Sequence, residues 1–151
     1  MSKIIEVSKT VIKHPAMLQK AVEYLNDFKK YGVVEAQFTQ DASGKITGGY
    51  IHLQTPDTTY GRGHIFLKFQ GTGKPEYSED GIIQNGHFSL MGDGDFQSNK
   101  NFATLISDHY NAQVVKNLFE SQGQPVEFQV ADDGAITVET CEPEGLAACG
   151  Y

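Results

Sequence analysis

The chain predicts an α+β domain in which two helices pack on one face of a mainly antiparallel sheet, a ferredoxin-like core with added hairpins. Three observations carry that expectation. Phe102, Leu105, Ile106, Tyr110, Val114, Val115, Leu118 and Phe119 recur at three-and-four spacing, which places them on one face of a long helix. After Pro125 the period changes to two, with Val126, Phe128 and Val130 on one side and Glu127 and Gln129 on the other, and Ile136, Val138 and Thr140 repeat the pattern after Asp132-Asp133-Gly134. Between the helices lie consecutive extended runs joined by turn residues, an order that an all-parallel sheet does not accommodate.

The elements follow in order. Residues 3–13 read as a first strand, with Ile5, Val7 and Val11 toward a core. His14-Pro15 starts a helix, since proline at its first position loses no useful amide; Leu18, Ala21, Val22, Leu25 and Phe28 form its apolar stripe through Lys30, and Gly32 ends it. Residues 33–40 alternate as a strand, the cluster 41–44 turns the chain, and 46–54 return, with Gly48-Gly49 marking a weak point or a bulge. Residues 62–69 form another strand, in which Ile65, Leu67 and Phe69 share one face and His64, Phe66 and Lys68 the other. Asn85-Gly86 predicts a two-residue type I′ hairpin between 82–84 and 87–90, because both dihedral positions there favour these residues. Asn101 is the expected N-cap of the second helix and Gly123 its left-handed stop.

At 151 residues the chain is expected to form one domain over 1–143, followed by a C-terminal tail at 144–151. The net charge of -7 disfavours phosphate backbones and anionic membranes as partners. No window is apolar enough for a membrane span, and the first residues alternate instead of forming a signal-peptide core. Two cysteines suggest no disulfide framework, so a reducing cytoplasm, a plastid stroma or an infected-cell cytoplasm is the expected location. In that setting Cys141 reads as an ordinary strand-end residue and Cys149 as the more exposed thiol.

The N-terminal strand and helix, Asn85-Gly86, the run Met91-Gly92-Asp93-Gly94-Asp95-Phe96, Tyr110, Gln129-Val130 and Asp133-Gly134-Ala135-Ile136 occur in an order that resembles the hypothetical chloroplast reading frame thirty-five family, with plastid, cyanobacterial and other bacterial relatives. The resemblance supports the fold and transfers no catalytic or ligand residues. It implies an association with an AAA-type ATPase.

Two constellations carry candidate chemistry. Arg62, His64, Phe66 and Lys68 resemble the aromatic strand of RNA-recognition modules, His64 and Phe66 stacking on bases while Arg62 and Lys68 reach phosphates. Against this stand the acidic charge and a first strand without a companion aromatic, so the plainer reading is an ordinary sheet strand. His52 and His64 on neighbouring strands, with Asp93 or Asp95, form the alternative acid–base set for a small-ligand enzyme. Asp93, Asp95, Asn99 and Asn101 only superficially match a calcium loop, because Ser98 and Thr104 stand where glycine and a bidentate glutamate belong. Gly71-Thr72-Gly73-Lys74 lacks the hydroxyl and helix of a phosphate loop, and no histidine spacing suggests a metal. The sequence therefore predicts a small noncatalytic binding or adaptor protein without a cofactor, whose partner is another protein in preference to nucleic acid or membrane.

Overall fold

A computed structural model describes residues 3–28, 34–53, 63–131 and 135–141. The elements run β1 (Ile4–Glu6), α1 (Pro15–Phe28), β2 (Val34–Gln40), β3 (Ile46–Leu53), β4 (His64–Gly71), β5 (Gly86–Asp93), α2 (Gln97–Ser121), β6 (Val126–Val130) and β7 (Ile136–Thr140). The first five strands form one sheet in the order β1-β5-β4-β3-β2, every neighbouring pair antiparallel. The α+β class and two helices against a mainly antiparallel sheet are as expected. The ferredoxin-like arrangement is not: β2 to β5 form a meander, and β1 pairs with β5 at the edge farthest from β2. The connection through α1 thus spans the whole sheet, whereas a split βαβ unit returns one strand away.

Period-two alternation builds the core. Val34, Ile51, Leu53, Ile65, Leu67, Phe88 and Leu90 turn one face of the sheet toward Leu18, Val22 and Leu25 of α1 and Phe102, Ile106 and Tyr110 of α2. The expected first strand shortens to three residues; Val7 N–H still donates to the Leu90 carbonyl at 3.0 Å, and further on Ile12 bridges Phe88. Ile12, not Val11, is the buried residue there. The Tyr110 hydroxyl accepts the backbone N–H groups of Lys13 and His14, each at 3.1 Å, tying the start of α1 to α2. In the 41–45 turn the Asp41 carboxylate accepts from the Ser43 hydroxyl at 2.7 Å, which holds its pKa below the usual carboxylate value, and from the N–H groups of Ser43 and Lys45. Lys30, Gly32 and Gln54 of the expected elements lie outside the described residues.

Three further expectations change. Asn85-Gly86 does not turn a hairpin, because Gly86 begins β5 opposite Gly71 and the partner strand is β4. Instead the Asn85 amide nitrogen donates to the carbonyls of Thr72 and Lys74, and its oxygen accepts from Glu76 N–H, stapling the long β4–β5 loop. The second helix begins at Gln97 with Phe96 in the capping position and no side-chain cap, while Asn101 sits inside the first turns. Its 25 residues span about 37 Å. That exceeds the roughly 26 Å length of an eight-residue strand beneath it. Burial accordingly stops near Gln113; Val115 and Leu118 are exposed and Phe119 is half-buried, although all three share the periodic face. Gly123 adopts the expected left-handed conformation, with φ of 78°.

The strands β6 and β7 form a separate two-stranded sheet on the helices. The Tyr24 ring meets Phe128 edge-on at 5.2 Å, and the Lys116 ammonium lies 5.0 Å from the centre of the same ring. The expected Asp133-Gly134 turn lies outside the described residues, as do Cys149 and the tail. Cys141 is disulfide-bonded, which departs from the free thiols expected of a reducing compartment.

Candidate functional site

The sheet face away from the helices carries the residues of opposite parity. Glu35 and Gln37 of β2, Tyr50 and His52 of β3, His64, Phe66 and Lys68 of β4, Met91 and Asp93 of β5, and Ile4 and Glu6 of β1 alternate with core positions on their strands. Register brings them together: His52 is directly opposite His64, Tyr50 opposite Phe66, Phe66 opposite Met91, and Ile4 opposite Asp93. The rings of Tyr50 and His64 are 5.7 Å apart and nearly coplanar in orientation at 8°, and His52 lies 6.0 Å from His64 at 18°. The three rings therefore pack as one cluster. His52 Nε2 lies 3.5 Å from Glu35 Oε2, and its Nδ1 is buried without a partner among the described residues.

At the β1 end of this face a groove of about 560 Å³ opens between strand ends and the start of α2, lined by Ile4, His64, Phe66, Gly92, Asp93, Phe96, Ser98 and Asn99. Ile4 is 55% and Phe96 58% exposed, unusual for large apolar side chains flanking the same hollow. The backbone explains the position of Phe96: with φ of −111° and ψ of 117° it is still extended, so its side chain stands clear of the helix that follows. Asn99, 5% exposed, forms the wall. Its Oδ1 accepts His64 N–H at 2.9 Å and its Nδ2 donates to the Asp93 carbonyl at 2.9 Å, locking the end of β4 to the end of β5.

Of the nucleic-acid set, His64 and Phe66 reach the groove; Lys68 lies further along β4 opposite Ser89, and Arg62 lies outside the described residues. The aromatic companion of Phe66 is Tyr50 on β3, not a residue of the first strand. Of the acid–base set, His64 and Asp93 share the groove, and His52 stacks beside His64. Asp95 is exposed on the following turn, where its N–H donates to Asp93 Oδ1 at 3.0 Å. The Asp93 carboxylate thus serves the turn, accepting Lys3 N–H at 3.4 Å as well. Among the described residues no three His, Cys, Asp or Glu side chains group to hold a metal. Asn99 and Asn101 of the calcium-like run are engaged elsewhere, Asn101 Oδ1 accepting from Gln97 Nε2.

Ile4, Tyr50 and Phe96 are not among the site residues expected from the sequence, and Asn99 entered only as part of the calcium-like run. Only Tyr50 carried a local signal, since it alternates with Ile51 on its strand; Ile4 and Phe96 meet through a pairing between segments about ninety residues apart. No protein-family model, curated protein or solved structure matches the chain.

Proposed function

We propose that the chain is a noncatalytic adaptor that docks another protein in the groove between Ile4, Phe66 and Phe96. The supporting observation is the exposure of Ile4 and Phe96, which line one groove with Phe66. Interfaces favour such anchors, because water leaves apolar area at about 25 cal/mol per Å² when the hollow is filled. Glu6, Glu35 and Asp93 outnumber Lys68 on this face among the described residues, which favours a basic partner. By the family resemblance, the partner proposed is an AAA-type ATPase in cytoplasm or plastid stroma, a location against which the disulfide at Cys141 counts. Among the described residues no helix is long and apolar enough to cross a membrane.

The pairing of Tyr50 with Phe66 favours single-stranded RNA as a second reading, since two rings on adjacent strands are the platform such modules use. The same acidic side chains oppose phosphate there. The shared position of His64 and Asp93 favours small-ligand catalysis more weakly, because Asp93 is already bonded to backbone N–H groups. Capture experiments with wild type and Phe96→Asp, each with nuclease and at two salt concentrations, separate these readings. The adaptor predicts a protein retained after nuclease, released by salt and lost with Phe96→Asp. Retention that nuclease abolishes, or that ignores Phe96, contradicts it.

A further inference from the structure

The five-stranded sheet has two edges, the three-residue β1 and the seven-residue β2. An open edge presents unpaired backbone donors and acceptors, and folded chains usually blunt it by shortness, lysine or proline. β1 is short; residues 34–40 contain neither lysine nor proline, and Glu35 is their one charge. Val34 N–H turns away from β3 and donates to Asn26 Oδ1 on α1 at 2.6 Å, while its opposite residue Leu53 donates to the Gly63 carbonyl at 2.9 Å. Val34 and Leu53 are therefore a non-hydrogen-bonded pair, and by period two Ala36 and Phe38 also aim their backbone groups outward. Beside them a groove of about 440 Å³ runs between α1 and the edge, lined by Gln19, Val22, Asn26, Val34, Ala36 and Phe38 among others.

We propose that β2 pairs antiparallel with β2 of a second copy of this chain, about a two-fold axis at Gln37, joining two sheets into one. In this register Ala36 of each copy exchanges hydrogen bonds with Phe38 of the other, so both outward residues are satisfied twice over. The strand is self-complementary in shape, because each Phe38 lies beside the small Ala36 of the other copy and enters the groove next to Val22. Its charges fit too. Glu35 falls opposite Thr39, Gln37 meets Gln37 with amides that donate and accept in both directions, and along the two strands no like charges stand directly opposite. Asn26 limits the seam by occupying Val34 N–H. This self-matching identifies a second copy, rather than an unrelated strand, as the occupant, and it is independent of the docking groove at the opposite end of the sheet.

Sedimentation velocity on the full chain at high micromolar concentration tests the seam. Wild type sediments as a dimer. Gln37→Lys and Gln37→Glu each sediment as monomers with unchanged circular dichroism, because Gln37 is exposed and identical charges across a non-hydrogen-bonded pair stand only about 5 Å apart. An equimolar mixture of the two variants restores the dimer, since lysine then faces glutamate. A monomeric wild type, variants that both remain dimeric, or a mixture that stays monomeric each overturns the proposal.

Discussion

The side-chain oxygen of Asn99 accepts the backbone N–H of His64 at 2.9 Å, across 35 residues of chain. With the reciprocal bond from Asn99 Nδ2 to the Asp93 carbonyl, one buried amide in the groove wall ties the start of β4 to the end of β5. Asn99→Leu should leave the His64 N–H and the Asp93 carbonyl unsatisfied and cost about 2–5 kcal/mol, read from urea denaturation. Asn99→Asp keeps the acceptor and should cost less. Equal, negligible losses for both would show that the amide does not hold the strand ends.

The long loop before β5 depends on Asn85 in a way that a two-residue turn would not. Asn85→Asp would suit a type I′ hairpin, yet here it points a carboxylate at the carbonyls of Thr72 and Lys74. Thermal melting should show a loss of about 1–3 kcal/mol. Gly86→Val should also be costly, since a Cβ there would collide with the Gln70 carbonyl. Wild-type melting of Asn85→Asp would restore the hairpin reading.

Along α2 burial, and not periodicity, decides the cost of a charge. Leu118→Asp should change stability by no more than about 0.5 kcal/mol, because Leu118 is 55% exposed. Ile106→Asp, in a fully buried position, should prevent folding or cost at least about 4 kcal/mol. Comparable melting of the two variants would contradict the described packing of the helix.

Two titrations give pH dependence of opposite sign. Burial, with help from Lys20 and against Asp80, lowers the pKa of His14, so the unfolded chain takes up its proton first as pH falls below about 6.5. Stability should decline through that range, and His14→Gln should flatten the decline between pH 7.5 and pH 5.5 by a measurable part. Burial and, secondarily, Asp41 push Tyr77 up to about 12, while its hydroxyl donates to the Ile46 carbonyl at 2.6 Å. Its contribution is present below the ordinary tyrosine pKa of about 10 and is lost as pH rises toward 12. Ultraviolet titration of Tyr77→Phe should remove a tyrosine that ionises at about 12; an unchanged profile would refute the assignment.

Features encoded by near neighbours were legible. Alternation put Ile65 and Leu67 on one face and His64 and Phe66 on the other, and Pro15 marked the start of α1, because pleat and helix pitch act within a few residues. Strand order was not legible: nothing local in Ile4, Ile5 or Glu6 distinguishes pairing with β5 from pairing with any other strand. Asn85 misled because its amide satisfies a distant loop, and Val115 and Leu118 misled because spacing shows which residues share a face but not where its cover ends. The candidate site was half visible, in His64, Phe66 and Asp93. Its other half, Ile4, Phe96 and Asn99, exists only through long-range pairing.

The docking groove is tested most directly by photo-crosslinking from inside it. Benzoylphenylalanine in place of Phe96 is compared with the same group in place of the equally exposed Leu118, in nuclease-treated extract irradiated and resolved by mass. The account predicts a protein adduct formed from position 96, absent from position 118 and weakened by added salt. Identical adducts from both positions, or adducts to nucleic acid alone when nuclease is omitted, would contradict it.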